Sequence, residues 1–278
     1  MQIEPLVYAV FGLIIGSFLN VCIYRIPLGK SIVFPGSGCP HCEKSIRFYD
    51  NIPILSFLIL RGKCRSCGER ISAQYPFVEL LTGLAFYCCW KEWGLAPPTF
   101  VNSLFLAIII VLVFTDYHHQ ILPNKLTIPG LVAGLLLSPF QAPLFYMDAL
   151  SIRTVSALGF EDSMLAMSWV GSIFGAVICS GGLFLLAFFY EKFRKRQGLG
   201  MGDVKMIAMV GAFIGYQLTV LTILVGSLIG MFVGIFLILF RNKDLQTKLP
   251  LGVYLGIGAA FSLFFGIGFL NWIWNIPQ

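Results

Sequence analysis

The sequence predicts an all-α polytopic membrane protein with about eight transmembrane helices and a small cytoplasmic, zinc-stapled domain between helices 1 and 2. Three observations support this fold class. Of the 278 residues, 58% are hydrophobic and only 12% are charged, and the mean hydropathy is +0.85. Long apolar runs recur along the chain, and the basic residues fall in alternate loops. Such a composition excludes an ordinary soluble globular domain.

Eight apolar runs account for the predicted spans. They lie near residues 5–24, 76–94, 99–117, 126–140, 167–190, 203–215, 217–240 and 251–274. The run at 203–215 is the shortest of them. With all eight counted as spans, both termini lie on the same side of the membrane.

The distribution of basic residues predicts the orientation. Of the 19 lysines and arginines, 17 fall in four loops on one side, at 25–75, 116–125, 191–205 and 241–250. Only Lys91 and Arg153 lie on the other side. Because basic loops stay in the cytoplasm, both termini are predicted to be extracytoplasmic. The formal net charge of +6 then reflects topology and contact with anionic membrane lipids, and it is not a signal of nucleic-acid binding.

The loop at 25–75 contains two cysteine pairs, CPHC (Cys39, Cys42) and CRSC (Cys64, Cys67), with 21 residues between them. Two such turns can bring four thiolates into the tetrahedron that zinc accepts. Four cysteines leave no open coordination position, so the metal is expected to be structural and to fold a domain too small to fold alone. A redox-active or metal-free thiol pair is the alternative, since cytoplasmic thiols rarely form stable disulfides. His41 is a less favoured ligand than the four cysteines.

Three acidic residues fall within or at the ends of spans: Glu79, Asp116 and Asp203. Asp116 closes the third span and Asp203 opens the sixth, which puts both at the cytoplasmic face. Two neighbouring carboxylates can share a proton, one acting as base towards water and the other as acid, which is the chemistry of aspartyl proteases. In the structural alternative each aspartate is an interfacial cap, or Asp203 pairs with Lys205. Glu79 is expected to have a structural role and to pair with the basic loop.

The stretch GLGMGDVK (Gly198 to Lys205) surrounds Asp203 with glycines. Residues without a Cβ let an extended substrate backbone approach the carboxylate closely. His118 and His119 follow Asp116 and are candidate bases or ligands, although an interfacial loop is an ordinary place for histidine. A separate series of glycines, Gly226, Gly230 and Gly234, predicts close helix packing.

Over nearly its whole length, the sequence resembles the prepilin peptidases of type IV pilus and type II secretion systems. The matching motifs are GSFLNVCIYRIP, the paired CxxC motifs, YPFVELLTG, DYHHQILPNKLT and GLGMGDVK. The resemblance implies that Asp116 and Asp203 are the catalytic pair. It also implies cleavage of the basic leader of prepilin and pseudopilin precursors at the cytoplasmic face of the bacterial inner membrane. Many members then N-methylate the new terminus with S-adenosylmethionine, and the cysteine-bearing loop is typical of these members.

The resulting domain prediction has three parts. Residues 1–24 are the first transmembrane helix, 25–75 the cytoplasmic four-cysteine zinc domain, and 76–278 the transmembrane aspartyl peptidase domain. In LPLGVYLGIGA the chain departs from the family, which commonly has an aromatic residue and a proline where Leu251 and Val253 stand. The alternative functions are an intramembrane protease of the presenilin or signal-peptide-peptidase type, and a proton-coupled transporter that uses the two aspartates.

Overall fold

The structure is a computed structural model, and it describes residues 3–141, 149–157, 163–194, 200–241 and 249–274. Throughout these ranges the regular structure is helical, apart from two isolated β-bridges. The chain divides into two compact units, Met1–Val111 and Leu112–Gln278. Several sequence features lie outside the described residues. These are Gly198 and Leu199 of the glycine-rich motif, Lys195 and Arg196 of the adjoining basic run, and parts of the loops at 139–166 and 241–250.

The first unit is built on α1 (Glu4–Arg25) and α3 (Gln74–Trp93), which pack against each other. The chain between them forms a 3-10 helix (Phe48–Asn51) and a short helix, α2 (Leu55–Ile59). Helix α4 (Pro97–His119) begins in this unit and ends in the second.

Small residues allow α1 and α3 to approach closely. An added Cβ on Gly12 would lie 2.8 Å from Cβ of Phe86, and one on Gly16 would lie 2.7 Å from Cα of Glu79. The Asn20 side chain donates to the Tyr75 carbonyl oxygen over 3.1 Å. The GSFLN and YPFVELLTG motifs therefore form one helix–helix contact.

Glu79 is buried in this contact and reaches the loop at 25–75, although its partner there is not the one that the sequence predicts. Its Oε2 accepts a hydrogen bond from the backbone N–H of Ile54 over 2.7 Å, where a basic side chain was the expected partner. Ile54 has a positive φ of 60°, which is strained for a β-branched residue. Glu79 thus fixes the backbone just before α2.

The second unit contains the end of α4 and most of the remaining helices. They are α5 (Asn124–Leu137), a 3-10 helix (Ser138–Gln141), α6 (Ala149–Ala157), α7 (Met164–Phe174), a π-helix (Gly175–Cys179), α8 (Ser180–Arg194), α9 (Met201–Arg241) and α10 (Leu251–Trp274). Helix α9 packs against α5, α7, the π-helix and α10.

Glycines bring the π-helix and α9 into backbone contact. An added Cβ on Gly211 would lie 2.2 Å from the carbonyl carbon of Gly175, a distance no real Cβ tolerates. Four residues later, Gly215 interrupts α9 with φ 76° and ψ 174°, a conformation open to glycine alone. The break separates the two predicted spans at 203–215 and 217–240.

The predicted close packing of the later glycines is confirmed. Added Cβ atoms on Gly226 and Gly230 would meet Leu255 and Tyr254 of α10 at 3.0 to 3.1 Å.

Each predicted apolar run lies in helical structure, two of them in α9, but only five helical segments of the described residues are long and apolar enough to cross a membrane. They are Glu4–Arg25, Pro97–His119, Leu165–Arg194, Met201–Phe240 and Leu251–Ile273. Helix α5 has 14 residues, which is short for a bilayer crossing, and α3 is not among the five. These candidate spans indicate a multi-pass membrane protein. The number of eight transmembrane helices stays a prediction.

Candidate active site and metal centre

Asp116 lies in the last turn of α4 and is only 5% exposed. The start of α10 packs against its carboxylate. The backbone N–H of Val253 donates to Asp116 Oδ2 over 3.3 Å, and an added Cβ on Gly252 would lie 2.9 Å from the same oxygen. A proline at position 253 would have no N–H to donate, so this contact depends on the valine that stands there.

Asp203 lies in the first turn of α9 and is half-buried. Its backbone N–H donates to the Gly200 carbonyl over 3.1 Å, and an added Cβ on Gly200 would lie 3.2 Å from Asp203 Oδ2. The absence of a side chain at Gly200 therefore leaves space directly beside the carboxylate, as expected for the glycine-rich motif.

Leu122 joins the segments that carry the two aspartates. Its side chain is buried, and it would meet an added Cβ on Gly202 at 3.0 Å and one on Gly252 at 3.1 Å. The ILP segment, the glycine-rich motif and the start of α10 thus converge on one leucine. The carboxylates of Asp116 and Asp203 lie close enough to interact electrostatically.

Lys205 does not pair with Asp203; both residues lie in the described part of the chain. Its Nζ donates instead to Asn124 Oδ1 over 2.9 Å, which connects the first turn of α9 to the start of α5. The ion-pair alternative for Asp203 is therefore wrong.

His118 and His119 are exposed beyond the end of the site. The rings of Tyr117 and His118 are in contact, with centroids 5.1 Å apart. Neither histidine belongs to the metal-ligating group found among the described residues.

The four predicted cysteines form one cluster in the first unit. Their Sγ atoms all lie within 4.8 Å of one another, and those of Cys39 and Cys67 are 3.8 Å apart. Sulfurs bound tetrahedrally at about 2.3 Å from zinc stand roughly 3.8 Å apart. The cysteines form no disulfide, and His41 is exposed outside the cluster. The donor set therefore fits a metal ion such as zinc.

Two similar turns hold the four sulfurs. In the first, the Cys39 N–H donates to the Lys44 carbonyl over 3.0 Å; in the second, the Cys64 N–H donates to the Glu69 carbonyl over 2.8 Å. Each turn is closed by an isolated β-bridge. With two residues between its cysteines, each CxxC pair therefore forms a turn that brings its two thiols together.

The pKa values of the two thiols in the second cysteine turn are shifted in opposite directions. Backbone N–H groups of Cys67 and Ser66 hydrogen-bond to Cys64 and lower the pKa of its thiol to about 7. For Cys67 the Glu69 N–H acts to lower the pKa, but burial and the neighbouring thiols raise it to about 12. Thiols this close release their protons one after another, and a bound cation replaces those protons.

An ion pair braces this turn from outside. Arg65 Nη2 contacts Asp50 Oδ1 at 2.7 Å, and Arg65 Nε also donates to both carboxylate oxygens. This hydrogen bonding lowers the pKa of Asp50. The bidentate pair connects the 3-10 helix at Phe48–Asn51 to the turn that carries Cys64 and Cys67.

Sequence reasoning missed three residues of the aspartate site: Leu122, Asn124 and Val253. Leu122 and Asn124 belong to the ILPN segment, whose position after Asp116 was the available signal. Val253 had no positive signal, because its contribution is a backbone N–H that reaches a residue far away in the chain.

The fold and these sites define a class: a multi-pass, helical membrane protein with two aspartates at helix ends and a four-cysteine cluster. The family model for the bacterial peptidase A24 N-terminal domain matches residues 10–93, and the model for the type IV leader peptidase family matches residues 103–235. The chain belongs to the family of the prepilin leader peptidase/N-methyltransferases.

Curated relatives carry the name prepilin leader peptidase/N-methyltransferase. The Aeromonas hydrophila protein is 32% identical over 94% of this chain and 91% of its own length, and the Pseudomonas aeruginosa protein is 32% identical over 92% and 88%. The Myxococcus xanthus protein is 38% identical over 84% of this chain, which spans only 63% of that relative's length. No solved structure gives a significant match.

Proposed function

We propose that this protein is a membrane-embedded aspartic endopeptidase of the bacterial inner membrane. It removes the basic leader of prepilins and pseudopilins at the cytoplasmic face and then N-methylates the new terminal residue. The observation that carries the proposal is the convergence of Asp116, Asp203 and the start of α10 around Leu122. The family and the names of the relatives supply the substrate class.

The two carboxyl groups hold one proton between them in the proposed reaction. The ionised carboxylate takes a proton from a water molecule as the water oxygen bonds to the scissile carbonyl carbon. The protonated carboxyl group gives its proton to the amine nitrogen as the carbon–nitrogen bond breaks. The missing side chain at Gly200, which lies beside the Asp203 carboxylate, lets the extended substrate backbone reach Asp203.

The substrate geometry agrees with the proposed topology. A prepilin has a basic leader in the cytoplasm and an apolar helix in the bilayer, so its scissile bond lies near the cytoplasmic surface. With eight spans and both termini extracytoplasmic, Asp116 and Asp203 lie at that surface. In this proposal residues 76–278 form the peptidase domain, which also contacts membrane lipids, and nucleic acid is not a partner.

We assign the four cysteines of the 25–75 domain to structural zinc. The metal would supply a fixed tetrahedral cross-link between the two turns and no reaction step. S-adenosylmethionine would supply the methyl group for the second activity, and we assign no residue to its binding.

The test is leader removal by aspartate variants. Membranes that contain Asp116→Asn or Asp203→Asn protein are incubated with a purified prepilin, and the product N-terminus is mapped by mass spectrometry. We expect each variant to lose leader removal by more than about a hundredfold, since either carboxyl group alone lacks its partner. His119→Asn is the matched control and should cleave normally. Full cleavage by either aspartate variant contradicts the assignment, and cleavage deep within the substrate helix favours an intramembrane protease.

A further inference from the structure

The segment around α2 carries an apolar stripe that no other part of the described chain covers. Its members are Ile52, Leu55, Leu58 and Ile59, hereafter the α2 stripe, and their side chains are between 45% and 74% exposed. Within α2, the spacing of three and four residues puts Leu55, Leu58 and Ile59 on one side, and Ile52 lies just before the helix. Exposed large aliphatic side chains grouped in this way mark a surface that contacts something apolar.

The residues on the opposite side of α2 make their contacts within the protein. The Ser56 side chain is buried, accepts a hydrogen bond from the Ile52 N–H over 3.0 Å and donates to the Tyr49 carbonyl over 3.0 Å. The Phe57 ring lies 3.1 Å from the position of an added Cβ on Gly62. The inward residues therefore fix the orientation of the helix and direct the stripe outward.

Contacts with α1 and α3 place α2 at membrane depth. Glu79, which accepts a hydrogen bond from the Ile54 N–H, packs against Gly16 of α1. Helix α1 ends nine residues after Gly16, at Arg25, which corresponds to a rise of roughly 14 Å. A glutamate side chain is shorter than this distance. Measured along the axis of α1, Ile54 therefore lies between the levels of Gly16 and Arg25.

Helix α1 is itself a candidate membrane span of 22 residues, about 33 Å long, which matches the thickness of the bilayer core. At a depth inside the end of such a span, a side chain that the protein leaves uncovered faces lipid. Three exposed basic residues lie near the stripe in the sequence, Arg47 before it and Arg61 and Lys63 after it, while the acidic Asp50 is paired with Arg65. Cations beside an apolar stripe suit the boundary between anionic headgroups and acyl chains.

We propose that the α2 stripe is embedded in the cytoplasmic leaflet of the bilayer and seats the four-cysteine domain on the membrane surface. The occupant of this surface is lipid. Glu79 acts as the anchor, since its bond to the Ile54 N–H sets the depth at which α2 begins. The inference is independent of the proposed peptidase activity.

Photo-crosslinking in a lipid bilayer tests the proposal. The full-length chain with p-benzoylphenylalanine at Leu58 is reconstituted into nanodiscs of phosphatidylcholine and phosphatidylglycerol, irradiated, and analysed by mass spectrometry for lipid adducts. The matched control has the same photo-residue at Glu69, an exposed position in the second cysteine turn. We expect at least about tenfold more lipid adduct at Leu58 than at Glu69.

The same measurement at Ile59 gives a second reading, and both side chains are exposed enough to accept a large apolar replacement. Equal lipid yields at Leu58 and Glu69 would overturn the proposal. So would adducts at Leu58 and Ile59 that join two protein chains in place of lipid, because the stripe would then be a protein–protein interface.

Discussion

An added Cβ on Gly252 would lie 2.9 Å from Oδ2 of Asp116, so the start of α10 rests directly on the aspartate carboxylate. The neighbouring Val253 N–H donates to the same oxygen. The position of one candidate catalytic group is thus set by the backbone of a helix far away in the chain. A side chain at Gly252 would have to displace Asp116, Leu122 or α10 itself.

Gly252→Ala is therefore expected to reduce leader removal by about tenfold or more, since catalytic groups must be positioned to within a fraction of an ångström. The rate of cleavage of a purified prepilin measures the effect. Gly268→Ala is the control, because Gly268 lies on the same helix with nothing within 4 Å of the added Cβ. Equal rates for the two variants would show that the contact between Gly252 and Asp116 does not position the carboxylate.

The hydrogen bond between Lys205 and Asn124 connects the helix that carries Asp203 to the segment that follows Asp116. Lys205→Met and Asn124→Ala should each slow cleavage, and the double variant should be no slower than the worse single variant. The expected coupling is about 0.5–1 kcal/mol, because the bond is exposed to solvent. A double-mutant cycle on the cleavage rate measures it. Strictly additive effects would mean that the two side chains act separately.

How far the sequence predicts this site depends on the kind of contact involved. Asp116 and Asp203 were predicted from charge at the ends of apolar runs, and those runs lie in helical structure, although the predicted spans at 203–215 and 217–240 share α9. Leu122 and Val253 were not predicted, because the contacts of a buried leucine and a backbone N–H depend on how α9 and α10 pack. Their chemical types are common throughout an apolar chain and carry no local signal.

In the four-cysteine segment at 25–75, too, some contacts were predictable from the sequence and others were not. The cysteine spacing alone predicts a cluster of four thiols, since two residues between cysteines bring each pair together in a turn. The run IPILSFLIL is too short for a span and lies in a predicted loop, so it carried no prediction. Its proposed contact with lipid rests on the hydrogen bond between Glu79 and Ile54, which places the run beside α1 and α3.

Metal removal tests the cysteine cluster. Purified protein is expected to contain about one zinc ion per chain, and Cys39→Ser/Cys42→Ser should lose most of it because only two thiolates remain. Cys88→Ser is the control: Cys88 lies in α3 outside the cluster, and its loss should leave the metal content unchanged. Elemental analysis of the three proteins after gel filtration provides the comparison. Full zinc content in the double variant would rule out these cysteines as ligands.

The backbone contact between Gly175 and Gly211 is expected to stabilise the second unit. Gly211→Ala would place a Cβ 2.2 Å from the carbonyl carbon of Gly175, so the π-helix and α9 would have to separate. We expect the free energy of unfolding to fall by about 1–3 kcal/mol, as is typical of overpacked interiors. Gly181→Ala in α8, where the added Cβ meets nothing within 4 Å, should leave stability unchanged or slightly raised, because alanine is the better helix former. Thermal unfolding in detergent, followed by circular dichroism, compares the two variants with the unaltered chain. An equal midpoint for Gly211→Ala and Gly181→Ala would mean that the helices separate at no cost and that the glycine contact does not hold the unit together.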